Sequence, residues 1–229
     1  MMGFLSFNIK KYRRELAVLL CSAIYLVWFF ILENTVTDNY HIIHAALDNY
    51  IPFCEYFIVP YLFWFFYVGF VLFYLYRKDR PLFFRACTFL FTGMFISLFI
   101  CTFYPNGTNF RPSPDPDKNI FSALVAALYS ADTCTNVLPS IHVYNSIGIQ
   151  IAVTKAESLR QRKYLRFASL LVCISICMAT VFLKQHSIVD VVAACIMSYV
   201  VYDVVYEPVG DGEPVRRKRK LTKAADAID

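Results

Sequence analysis

Six mainly apolar stretches, separated by short polar segments, most constrain what this chain can fold into. They run from about Leu16 to Leu32, Phe57 to Tyr76, Ala86 to Tyr104, Ser140 to Thr154, Leu165 to Leu183 and Ile188 to Tyr206. About 20 apolar residues cross roughly 30 Å of hydrocarbon as a helix, and helices satisfy their own backbone there. The first three stretches hold no charge, the fourth is shorter and more polar, and the last two are apolar apart from Arg166 at the start of the fifth, Asp190 and Asp203. Only 17% of the chain is charged and 58% is hydrophobic, whereas soluble domains carry about 25% charged residues. The expected fold class is therefore an all-α integral membrane protein. Residues 1–206 are read as one six-transmembrane-helix bundle, and 207–229 as a basic tail that is expected to be disordered.

Orientation follows from the basic residues, because cytoplasmic loops carry the excess of Lys and Arg. Of the 22, all but Arg111, Lys118 and Lys184 fall on one side: before the first stretch, between the second and third, between the fourth and fifth, and after the sixth. Both termini are thus expected to be cytoplasmic. The net charge of +5 is mostly this topology signal, so a nucleic-acid partner is not expected. The cluster from Arg216 to Lys220 would instead meet anionic lipid headgroups. Glu33 and Asn34 follow the first stretch in place of a small-residue cleavage site, which makes that stretch an anchor rather than a signal peptide. Six of the 8 Cys lie in or beside apolar stretches, so there is no disulfide framework. Cys54 and Cys134, both in outer segments, are either a single bridge or two free thiols. No internal repeat divides the chain, and nothing in it specifies an oligomeric state.

Between the third and fourth stretches, Ile120, Leu124, Ala127 and Leu128 recur at helical spacing. A helix over Asn119 to Ala131, lying on the outer membrane surface, is predicted. The aromatic run Phe63-Trp64-Phe65-Phe66-Tyr67 reads as lipid-facing packing. His41 and His44, with Asp38 and Asp48 nearby, have the residue types of a metal site, but a surface loop is the simpler reading.

Five ionisable groups share the opposite, outer side: Arg111, His142, Lys184, His186 and Asp190. Ionisable residues at membrane depth are costly and mark function. A spacing of four puts His186 and Asp190 one helical turn apart, where a carboxylate can fix the imidazole tautomer and stabilise its charged form. That arrangement makes a nucleophile or a base, or else a buried polar pair that joins helices. His142 is a second proton-transfer group, Arg111 a fork for phosphate oxygens, and Ser140 a hydroxyl near a helix amino terminus where anions bind.

The ordered set Phe110-Arg111-Pro112, Pro139-Ser140-Ile141-His142 and Lys184-Gln185-His186-Ser187-Ile188-Val189-Asp190 resembles the three motifs of the type 2 phosphatidic acid phosphatase (lipid phosphate phosphatase) superfamily. The resemblance covers the third stretch to the end of the sixth. It implies metal-independent phosphoryl chemistry, with no cofactor, at an outward-facing site in a six-span membrane enzyme. On that pattern His186 attacks phosphorus, Asp190 orients and charge-stabilises it, and His142 protonates the leaving oxygen before activating water or an alcohol. Arg111 and Ser140 would hold phosphate oxygens. The chain departs from the pattern at Tyr104, where the family has Lys, at Ile141, where it has Gly, and at Thr180, where it has Arg. Lys184 could restore one of the two lost charges, as a point charge rather than a fork.

Loss of the third-motif Arg is similar to the inositol phosphoryl and phosphocholine transferase branch, so two outcomes are open at one site. A phosphorylated lipid would be hydrolysed by water, the favoured reading, or its headgroup passed to a lipid hydroxyl. A non-catalytic transporter or scaffold is the alternative from a different class, against which His142, His186 and Asp190 all speak. The expected location is a bacterial plasma membrane with the site extracytoplasmic; in an internal eukaryotic membrane it would face the lumen.

Overall fold

The structure, a computed structural model, describes residues 9–37 and 39–207, with the side chains of 9–11 excepted. The expectations for the tail beyond Glu207 lie outside the described residues. Seven helices carry the described chain: α1 (Ile9–Thr35), α2 (Ile58–Lys78), α3 (Arg80–Phe103), α4 (Ile120–Ala131), α5 (Ile141–Lys155), α6 (Lys163–Phe182) and α7 (Ile188–Tyr206). Two dipeptide strands, β1 (His41–Ile42) and β2 (Asn106–Gly107), pair in parallel in the outer segments.

Five helices are long and apolar enough to cross a membrane, namely α1, α2, α3, α6 and α7. The expected fourth span is different in kind. Helix α5 has 15 residues, about 22 Å at 1.5 Å per residue, and it packs against α2, α3, α6 and α7 together. Val143, Tyr144, Asn145, Ser146, Gly148, Ile149, Ala152 and Val153 are all buried. A helix sheathed by other helices need not match the hydrocarbon in length or polarity, which explains why its stretch is the shortest and most polar. It is the central post of the bundle.

Close approach of α3 to α5 depends on two glycines. The Phe89 and Tyr144 rings stack with centroids 4.8 Å apart, and Tyr144 donates to the Phe89 carbonyl at 2.7 Å. A Cβ at Gly93 would lie 2.1 Å from the Tyr144 ring, and one at Gly148 would lie 2.6 Å from Phe89. Only glycine admits that contact. Between α2 and α3 the connection is Asp79 alone, which caps α3 by accepting from the Leu82 N–H at 3.0 Å. Arg80 and Arg85 therefore sit in the first turns of α3, where a loop was expected.

The outer segments are stitched together beneath α5. Asn106 accepts from the N–H groups of Val137 and Leu138 at 3.0 and 2.8 Å, while its amide donates to the Tyr104 carbonyl at 2.7 Å. Helix α4 begins at its Asn119 cap, as the sequence predicts. Its packing face is shared only in part with the expected one, through Leu128. Ile120 and Leu124 point outward, while Val125 is buried in a cluster with Ile58, Tyr61, Ala179 and Leu183. The helix thus shows one apolar face to the bundle and another away from it, and it covers the amino end of α2 and the carboxyl end of α6.

Candidate active site

The turn from α6 into α7 sets the geometry. The Thr180 carbonyl accepts from both the Gln185 and His186 N–H groups at 3.0 Å, and Lys184 closes the turn in the left-handed region with φ 53°. Ser187 caps α7 and Asp190 returns the bond as the third residue of a capping box. Asp190 Oδ2 accepts from the Ser187 N–H at 2.9 Å and lies 3.3 Å from His186 Nδ1. With Nδ1–H held by a carboxylate, Nε2 carries the lone pair. The predicted pair is therefore formed, and the same carboxylate that orients the imidazole also starts the helix.

His142, in the first turn of α5, lies with its ring centroid 5.9 Å from that of His186. It is flanked by the rings of Tyr61 and Trp64 at 4.5 and 4.6 Å. The aromatic run on α2 thus divides. Phe63, Phe65 and Phe66 are exposed as expected, but Trp64 turns inward to the histidine and Tyr67 is buried in the bundle against α6.

Arg111 converges on the same place. Its guanidinium donates to the carbonyls of Asp132 and Thr133 at 2.7 Å each and to Gln185 Oε1, stands 3.6 Å from the Asp132 carboxylate, and covers the Tyr129 ring. Three buried N–H groups beside this cluster have no partner: Arg111 Nε, Gln185 Nε2 and Trp64 Nε1. Buried donors left unpaired cost about 1–3 kcal/mol each, and these three belong to residues of the cavity wall. All three residues, with His142 and His186, line one cavity of about 700 Å³.

Two of the expected phosphate ligands stand elsewhere. Ser140 is fully buried, its hydroxyl accepting from the Val143 N–H as the cap of α5 and its own N–H donating to the Asp190 carbonyl at 3.2 Å. It holds the two motifs in register rather than facing the cavity. The Lys184 ammonium is turned to the first outer segment, donating to the carbonyls of Asp48, at 2.8 Å, and Ile51. Burial pulls it below the usual lysine range, against the Asp48 carboxylate that favours its charge. Lys184 therefore brings no positive charge to the cavity.

Asp48 is the residue that sequence reasoning misplaced. Its carboxylate accepts from the Ser187 hydroxyl at 2.6 Å, the Ile188 N–H at 2.9 Å and the Ala45 N–H at 2.8 Å. It clamps the amino end of α7. His41 stacks on Tyr104 and His44 pairs with Asn49, so they and Asp48 serve separate contacts; Asp38 lies outside the described residues. Among the described residues no group of His, Cys, Asp and Glu has the proximity of a metal site. Cys54 and Cys134 are free thiols.

Two carboxylates, Glu33 and Asp132, also line the cavity. Glu33 accepts from the Thr133 N–H at 2.8 Å, from its hydroxyl, and from the Asn136 amide at 3.3 Å. Burial raises the Asp132 carboxyl above the usual carboxylate range, and Glu33 adds repulsion while Arg111 opposes it. The side chain keeps 37% of its surface exposed, which lets solvent screen part of the effect. A raised carboxyl stabilises the fold fully below its unfolded value, and that stability is lost as pH rises through the folded one. Asp132→Asn is thus expected to melt above wild type at pH 7 in detergent. The gap should close toward acid, where both side chains are neutral. Equal melting temperatures across that range would show that Arg111 fully offsets the burial.

Comparison with protein-family models, with curated proteins and with solved structures finds no match.

Proposed function

We propose that the protein is a membrane lipid phosphatase that hydrolyses a phosphate ester or diphosphate of a lipid through a phosphohistidine. The observation that carries this reading is that His186, held at Nδ1 by Asp190, and His142 line one cavity together with Arg111 and Gln185. His186 Nε2 attacks phosphorus while Asp190 holds Nδ1–H and balances the charge that develops on the ring. Protonated His142 gives its proton to the leaving oxygen, which departs as the lipid alcohol, and later takes one from the water that attacks the phosphohistidine, so the histidine ends in the state in which it began. Arg111 and the Gln185 amide bind the non-bridging oxygens, a role for Gln185 that its place in the third motif could have suggested. The chemistry needs no metal and no cofactor.

In this reading the bundle has six spans, α5 completing the five long apolar helices, with both termini on the basic, cytoplasmic side. The site then opens at the other face, extracytoplasmic in a bacterial plasma membrane. A second reading, transfer of a phosphodiester headgroup to a lipid hydroxyl, is favoured by one feature. With Lys184 turned away, Arg111 is accompanied at the cavity by Glu33 and Asp132, a balance that suits a singly charged diester better than a doubly charged monoester.

The test is inorganic phosphate release from a panel of lipid phosphates by the purified protein in detergent with excess chelator. Release that survives the chelator is the expected result. No release, with transfer from labelled phosphoinositol or phosphocholine lipids to diacylglycerol or ceramide, would make the second reading the function. Failure of both would leave a non-catalytic transporter or scaffold.

A further inference from the structure

The cavity has two chemistries. Its polar end is formed by Arg111, His142 and His186, and the remainder is a limb lined on α1 by Tyr25 and Phe29 and on α2 by Val68 and Gly69. Helices α1 and α2 each lean on α3, and the limb runs in the gap that this leaves between them. A space that carries Arg111 and two histidines at one end and is hydrocarbon-lined along the rest matches an amphiphile whose phosphoryl group sits at the histidines.

Gly69 singles out the limb. Gly93 and Gly148 are accounted for by the rings that press on them, but a Cβ at Gly69 would meet nothing within 4 Å. Glycine is the least favourable helix-interior residue after proline, and no neighbour requires it here. Its missing side chain instead widens the cavity wall. At 1.5 Å per residue, Gly69 stands about 7.5 Å along α2 from Trp64, the residue against His142.

We propose that the gap between α1 and α2 holds the hydrocarbon chain of the phosphorylated lipid, and that Gly69 determines the length of chain accepted. This rests on the phosphoryl-transfer reading of the polar end. A larger side chain at position 69 would close the limb without touching His142, His186, Asp190 or Arg111, and the open space around it leaves the fold unstrained.

The experiment compares octyl and hexadecyl phosphate with wild type, Gly69→Ala and Gly69→Phe, keeping Gly69→Leu should the Phe variant not fold. Gly69→Phe is expected to lower kcat/KM for the hexadecyl ester by about ten-fold or more relative to the octyl ester, with Gly69→Ala close to wild type. A second arm reads binding without turnover. In a Trp28→Phe background Trp64 is the sole tryptophan, and a hexadecyl phosphate brominated along its chain should quench its fluorescence in wild type but lose affinity about ten-fold in Gly69→Phe. If no ester is hydrolysed while the quenching result holds, the phosphatase reading falls and the chain site stands. An unchanged chain-length profile with unchanged quenching would overturn the proposal, as would equal quenching by a brominated lipid that lacks a phosphate.

Discussion

His186→Ala is expected to lower turnover by about ten-thousand-fold or more, because in the proposed mechanism it removes the atom that forms the covalent intermediate. The acid-labile phosphoenzyme trapped from labelled substrate should disappear with it. The fold should survive. Asp190 Oδ2 keeps its bond from the Ser187 N–H at 2.9 Å, and Ser187 and Ile188 stay clamped on Asp48, so α7 still begins where it does now. Thermal melting in detergent checks that point and phosphate release checks the chemistry. A well-folded variant with full activity would remove His186 from the mechanism.

Asp190→Asn separates orientation from charge. An asparagine can still accept from the Ser187 N–H and from the imidazole, so the cap of α7 and the ring position are retained. It cannot offset positive charge on the ring as phosphorus is attacked. Loss of that assistance is expected to slow phosphoenzyme formation by about a hundred- to ten-thousand-fold, with KM and melting temperature close to wild type. Rapid-quench measurement of the first turnover isolates the step. Wild-type kinetics in this variant would reduce Asp190 to the structural half of its present role, the capping box.

Which features were legible in the sequence follows from how local their signals are. Hydropathy is read window by window, so α1, α2, α3, α6 and α7 announce themselves. The burial of α5 depends on four partners that no window contains, and its stretch therefore reads as a weak span. His186 and Asp190 are four apart, and helical geometry alone pairs them. Arg111 and His142 were found by their order along the chain. Nothing local indicated that the Lys184 ammonium would be drawn to two carbonyls of a distant loop, or that the Ser140 hydroxyl would be consumed by its own helix. The same limit hid Asp48, which meets a serine hydroxyl 139 positions later. Glu33 and Asp132 came into the site only when the end of α1 folded over the segment before α5.

The clamp of Asp48 on Ser187 and Ile188 has a consequence for biosynthesis. A chain emerging from the ribosome completes the first outer segment early, yet that segment's carboxylate has no helix to hold until the last one arrives. The turn that carries His186 is thus anchored to the first outer segment only once the final helix has been made, so a truncated product that lacks α7 leaves the Asp48 carboxylate without its partners.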